Sequence, residues 1–204
     1  TVNVERSIIA DVDLSQSIKT RNNATVNTIL KDIDGKTLTG NVDVEVLIDD
    51  QSIQNLTIKD GVVNLVLPMD EKIQKNYTLT IKTKQNNLYD AKTLTSTIEV
   101  VNREVIIESI DVNTPRTTQD LKVNTTIKDE FGNPLNDGIV IFKLDGVEIG
   151  QANVAGGRAT ITYTLPASII AGQYNIKAEY SSDKYYNQAN ANTTVNVERS
   201  IIAD

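Results

Sequence analysis

Val26-Asn-Thr-Ile-Leu-Lys-Asp32 returns, little changed, as Val123-Asn-Thr-Thr-Ile-Lys-Asp129, 97 residues further on. In the first copy Val26, Thr28 and Leu30 take every second position. In the second, Val123, Thr125 and Ile127 do the same. A period of two places such residues on one face of an extended strand. The next loop repeats as well, Asp34-Gly-Lys-Thr-Leu38 matching Phe131-Gly-Asn-Pro-Leu135, and Tyr77-Thr-Leu-Thr-Ile-Lys82 matches Tyr174-Asn-Ile-Lys-Ala-Glu179. The chain therefore reads as two diverged modules, 1–101 and 102–204.

More rows of the same period lie within each module. Val42, Val44 and Val46 alternate with Asp43 and Glu45. Val63, Leu65 and Leu67 match Ile161, Tyr163 and Leu165, and Ile98 and Val100 match Val195 and Val197. Turn residues separate the rows: Asp34-Gly35, Asp49-Asp50, Asp60-Gly61, Gly132-Asn-Pro134, Asp145-Gly146 and Gly156-Gly157. About seven short strands per module at this spacing predict an all-β chain of two tandem Greek-key sandwiches of immunoglobulin type. No segment reads as more than one helical turn; Pro68 and Pro166 each open such a stretch.

A second repeat is exact. Residues 1–11, TVNVERSIIAD, return letter for letter as residues 194–204, 193 positions on. Chance does not produce eleven identical residues, so the chain is expected to be a window on a longer array of this two-module unit. Thr194, Val195, Val197, Ile201 and Ile202 are the residues expected to carry the inter-repeat junction. The internal junction, Val100 to Asn113, is itself strand-like, so one module is expected to run almost directly into the next and a series of them to be rod-like.

Composition narrows the chemistry. The 204 residues include no Cys, no His and no Trp, and the net charge is −7. Without His or Cys there is no Ser-His or Cys-His nucleophile pair and no common zinc site. The acidic balance argues against nucleic acid as a partner and against anionic membrane. No run approaches the 18 apolar residues of a membrane span. No catalytic residue, metal site or cofactor is expected, and the chain is read as a non-enzyme.

The second module also resembles a known family. Lys128-Asp-Glu-Phe-Gly-Asn-Pro-Leu-Asn-Asp-Gly138 with Ile139-Val-Ile-Phe-Lys-Leu-Asp-Gly146 resembles bacterial Ig-like domains of the Big type 3 group. So do Ala171-Gly-Gln-Tyr-Asn-Ile-Lys-Ala-Glu-Tyr-Ser-Ser-Asp-Lys-Tyr-Tyr-Asn187 and Ala191-Asn-Thr-Thr-Val-Asn-Val197. The first module departs from the pattern, with Ile33-Asp-Gly-Lys-Thr37 where a Pro is expected. Such domains occur in tandem in surface proteins, including adhesin-like proteins of methanogenic archaea. The resemblance implies a structural and adhesive stalk or filament at the cell surface or cell wall. Its implied partners are neighbouring copies of itself, with lateral self-association or cell-surface glycans as further ones. The alternatives are a separate subunit polymerised by β-strand exchange and a carbohydrate-binding module.

Individual residues stand out against this background. Tyr77 and Tyr174 open the penultimate strand of their modules, where an immunoglobulin sandwich places a tyrosine corner. Tyr180, Tyr185 and Tyr186 cluster near the last loop; they could grip a sugar face, but packing over the sandwich end is the favoured reading. Asn-x-Thr sequons at Asn23, Asn55, Asn76 and Asn192 are candidate glycosylation acceptors; a fifth, Asn124, falls mid-strand. Asp32-Ile-Asp34-Gly35 has a faint likeness to a calcium loop without the rest of its ligand series. Glu5, Asp11, Asp13, Glu104, Glu108 and Asp111 read as solvated carboxylates near the junctions.

Overall fold

The computed structural model describes residues 5–182 and 184–201. The chain divides into two units, residues 1–101 and 102–204, and each holds seven strands.

Module 1 contains β1 (Gln16–Lys19), β2 (Ala24–Ile29), β3 (Asn41–Ile48), β4 (Gln51–Lys59), β5 (Val62–Leu67), β6 (Lys75–Thr83) and β7 (Lys92–Val101). Its hydrogen-bonded order is β1-β7-β6-β3-β4-β5-β2. The only pair joining β4 to β5 is Lys59↔Val62, so the chain turns over at that point and β5 and β2 form the opposing layer. Val44, Val46, Leu79 and Ile81 from one layer and Val26, Val63 and Leu65 from the other form one buried cluster. The period-two rows are what make this possible: every second side chain of each strand faces the same interior.

Module 2 contains β8 (Val105–Val112), β9 (Asp120–Asp129), β10 (Ile139–Leu144), β11 (Val147–Asn153), β12 (Arg158–Thr164), β13 (Gly172–Ser181) and β14 (Ala189–Val197). Its two sheets run β11-β10-β13-β14 and β12-β9-β8. Phe142, Ile127, Leu121 and Ile176 are wholly buried between them. The row Ile161, Tyr163 and Leu165 is less inward than its twin in β5. Only Leu165 is fully buried, and the other two are half-buried against the core.

The modules differ in how their first strand closes the sandwich. In module 1, β1 runs parallel to β7 over four pairs, Gln16↔Ile98 to Lys19↔Val101. In module 2 the equivalent contact shrinks to the single bridge Arg116↔Glu198. Pro115 stands just before it. Its carbonyl accepts from Glu198 N–H at 2.9 Å, but proline has no N–H to give and cannot continue the ladder.

Turn chemistry repeats between modules. Asp49 and Asp50 adopt φ of 46° and 63°, and Asp145 and Gly146 adopt 45° and 85°, the left-handed pair that a tight hairpin requires. Each first Asp crosses to the neighbouring strand: Asp49 accepts from Thr78 N–H and Asp145 from Asn175 N–H. In both modules a bulge precedes this turn, at Val46/Leu47 and at Phe142/Lys143.

A left-handed residue also ends each first-strand turn, Arg21 at φ 66° and Thr118 at φ 69°. For a β-branched side chain this region costs roughly 1–2 kcal/mol. Thr118 is exposed, so a glycine there gives up no buried side chain. Thr118→Gly should therefore stabilise module 2 by roughly 0.5–1 kcal/mol after glycine's extra chain entropy is subtracted. Chemical denaturation of wild type and variant, read as a shift of midpoint at constant slope, checks it.

Candidate functional site

The repeated string has a visible role at both ends of the chain, and the role differs. At the C-terminal end, Thr194 to Val197 finish β14, where Val195 and Val197 are 1% exposed and pair with Tyr174 and Gly172. At the N-terminal end, the other half of the string opens module 1. Ser7 N–H donates to Leu88 O at 2.9 Å, and Asp90 N–H donates to Ser7 O at 3.1 Å. Ile33 N–H donates to Ile8 O, and Ala10 N–H donates to Lys31 O. Between these bonds Ile9 is fully enclosed, at 0% exposure, while Ile8 faces outward. The Arg6 guanidinium donates to Asn86 O at 2.8 Å and lies 3.8 Å from Asp90.

Module 2 is entered in the same way. Arg103 N–H donates to Tyr185 O at 3.0 Å, and Asn187 N–H donates to Arg103 O at 2.9 Å. Here the entering residue adds something absent from module 1. Its guanidinium bonds Asp129 at 2.6 Å, with Arg103 8% and Asp129 1% exposed, and stacks on the Phe131 ring at 5.0 Å. Asp129 also accepts from Phe131 N–H, Asn133 N–H and Asn133 Nδ2. Burial pushes the Asp129 carboxyl up, but the bonds from Asn133, Arg103 and Phe131 outweigh it and hold the group below its ordinary value. Asp32 closes the corresponding loop of module 1 by accepting from Asp34 N–H and Lys36 N–H. The Asp-x-x-Gly spacing read above as faintly calcium-like is thus a self-bonded turn in both modules. That spacing was the available signal for Asp129; nothing local pointed to Arg103.

At the other end of module 2, Ser200 Oγ lies 2.7 Å from Thr117 Oγ1 and bonds Thr117 O at 2.9 Å. Ile201 is 73% exposed. Ile202 lies outside the described residues.

Tyr77 donates its hydroxyl to Ile73 O at 3.1 Å, and Tyr174 donates to Ile170 O at 2.7 Å. Each closes a loop four residues back onto its strand. Tyr77→Phe removes the bond from a buried ring and should cost module 1 about 0.5–1.5 kcal/mol, with Tyr174→Phe at or below the low end because that hydroxyl is exposed. Thermal unfolding of both variants checks the order.

The three later tyrosines do not form a common platform. Tyr180 is a core residue, its hydroxyl donating to Asp137 O at 3.0 Å; burial pushes its pKa up. Tyr186 packs against the core and Tyr185 is half-buried. Among the described residues Phe131 alone of the aromatic side chains is exposed. The sequons are also unequal. Asn23 is occupied in accepting from Met69 and Asp70 N–H, and Asn124 in accepting from Thr160 Oγ1. Asn55, Asn76 and Asn192 are exposed on strands β4, β6 and β14.

The junction carboxylates are dispersed. Asp11 pairs with Lys92 at 2.7 Å, Glu108 pairs with Lys128, and Glu104 accepts from Asn187. Asp111 accepts from Ser109, Asp13 accepts from Ser15 N–H, and Glu5 is exposed. Among the described residues no three acidic groups converge as metal ligands.

Residues 109–198 match the family model of the bacterial Ig-like domain, group 3. Module 2 is similar to that domain. Its match spans β9 to β14 and the Glu198 contact. Ig-like domains are typically non-enzymatic. No curated protein matches the chain. Among solved structures, titin domains Z1Z2 in complex with telethonin are 15% identical and cover 97% of this chain and 100% of that one, with a TM-score of 0.51. This likeness is one of fold. The fibronectin(III)-like modules of Clostridium thermocellum CbhA are 14% identical over 94% of this chain and 93% of that one, with a TM-score of 0.37.

Proposed function

We propose that this chain is one repeat of a long extracellular stalk or filament, made of head-to-tail copies of the same two Ig-like modules and serving a structural and adhesive role at the cell surface. The observation that carries the reading is the duplicated string TVNVERSIIAD. At the C-terminal end Thr194 to Val197 finish the last strand of one module, and at the N-terminal end residues 7–10 enter another, so a whole string is what a continuous junction needs. Each sandwich is a locally stable unit, and repetition adds reach, with stability set by modules and nearest neighbours. The Ig-like family and the absence of His and Cys fit a role without catalysis. The similarity of module 2 to a family named for bacterial Ig-like domains supports an external location.

The duplicated part supplies only four of the nine pairs that hold β14 to β13, which disfavours a polymer of separate subunits joined by exchange of that strand. A carbohydrate-binding module is disfavoured because, among the described residues, Phe131 alone of the aromatic side chains is exposed.

The test is the denatured mass of the native protein, with limited proteolysis at the junctions. A very large chain cut into a ladder with steps of 193 residues is the expected result. A single species near 22.4 kDa would overturn the reading.

A further inference from the structure

We infer that β14 of module 2 is a self-pairing edge, which docks antiparallel on β14 of a second copy of this chain. The entering segment takes a different edge in each module. In module 1 it crosses to β7: β1 pairs with residues 98–101, and Thr97 N–H donates to Ser15 Oγ at 3.0 Å. In module 2 it stays along β9 as far as Val112 and meets the last strand only beyond its end, at Glu198. β14 therefore ends its sheet and pairs with β13 alone among the described strands.

Glu198 shows which groups are bare. Its N–H donates to Pro115 O and its C=O accepts from Thr117 N–H, both away from β13. Main-chain groups alternate sides along a strand, and β13 and β14 pair without a register shift. The N–H and C=O of Asn190, Asn192, Thr194 and Asn196 thus point the same outward way, and among the described residues nothing bonds them. Charge decides the occupant. Of the other strands that end a sheet, β1 carries Lys19, β8 carries Glu108 and Asp111, β11 carries Glu148 and β12 carries Arg158. Charges, prolines and bulges are what keep natural edges apart, and β14 has none of them. β2 is also uncharged, but Ala10 N–H and Gln16 Nε2 bond the two ends of its edge, at Lys31 O and Thr25 O. An uncharged strand meets its own copy across a two-fold axis with no like charges opposed. The register that uses all four bare residues sets Asn190 against Asn196 and Asn192 against Thr194 of the second copy. Each such pair exchanges two main-chain hydrogen bonds, and the two copies of Thr193 meet at the axis as a favourable cross-strand pair. An edge contact is small, so the association is reversible and depends on concentration.

The test is sedimentation velocity over a range of concentrations, on chain made in a host that adds no N-glycan because Asn192 heads a sequon. Wild type should show a weight-average mass rising from 22.4 kDa towards twice that value. Asn192→Lys sets two positive charges diagonally across the axis, and Thr194→Glu sets two negative ones there. Both side chains are exposed, so module 2 keeps its fold, and each variant should stay near 22.4 kDa. The double variant Asn192→Lys/Thr194→Glu brings opposite charges face to face in both pairs and should restore the rise. A wild type that stays at 22.4 kDa throughout would overturn the inference and leave the edge to a strand of another protein. Single variants that associate as wild type does would overturn it by placing the contact elsewhere. A double variant no better than the singles would overturn it by excluding this register. None of these results alters the native denatured mass, so the tandem reading stands or falls separately.

Discussion

Asp129→Ala should cost module 2 about 3–5 kcal/mol, the range expected when one member of a buried ion pair is removed. Three losses combine. The Arg103 guanidinium keeps its place at 8% exposure but loses its counter-ion. The N–H groups of Phe131 and Asn133 lose the oxygen that closes the loop after β9. The Arg103 stacking on Phe131 loses the bond that fixes it. Arg103→Met should cost less, because Asp129 keeps its bonds from Phe131 and Asn133 and methionine fills similar space. Differential scanning calorimetry should show the module 2 transition moving down and the module 1 transition holding, since Asp32 closes its own loop without a buried arginine. Equal losses for Asp129→Ala and Arg103→Met would place the cost in the ion pair and none of it in the loop.

The same group sets a pH dependence of known sign. The folded carboxyl lies below its ordinary value, so the unfolded chain binds the proton more readily. Stability from Asp129 is full above about pH 4, the ordinary carboxylate range, and is lost as pH falls through the lower folded value. Acid titration should therefore weaken wild-type module 2 over that interval more than it weakens Asp129→Asn.

Phe142→Ala should cost module 2 about 3–5 kcal/mol through lost burial and the cavity left behind. Phe142 is 0% exposed in the central strand β10, between β11 and β13. It sits at the bulge where β10 and β11 shift register, so β11 is held partly by this ring. A module of this size has about 5–15 kcal/mol in total, so the variant leaves it marginal at body temperature. Two resolved transitions, with that of module 1 unmoved, are the expected calorimetric trace. A single transition shifted as a whole would mean that the modules unfold as one cooperative unit.

Much of the architecture was legible in the residues. The 97-residue echo marks two modules of one kind, the period-two rows mark their strands, and Asp-Asp and Asp-Gly pairs mark the hairpins. These signals are local: a strand's faces, a turn's left-handed residues and the tyrosine that opens a strand are all fixed within a few residues of themselves. Burial depth is not local, and Ile161 and Tyr163, which read like Val63 and Leu65, are only half-buried. Nothing in the sequence pairs Arg103 with Asp129, because 26 residues separate them and only the pairing of the entering segment with the loops after β9 and β13 brings them together. The effect of Pro115 on closure of the second sandwich emerges only with Glu198 beside it. The sequence alone established that TVNVERSIIAD is duplicated. That its two halves serve different modules depends on which backbone groups each half bonds, and only the folded chain brings those partners within reach.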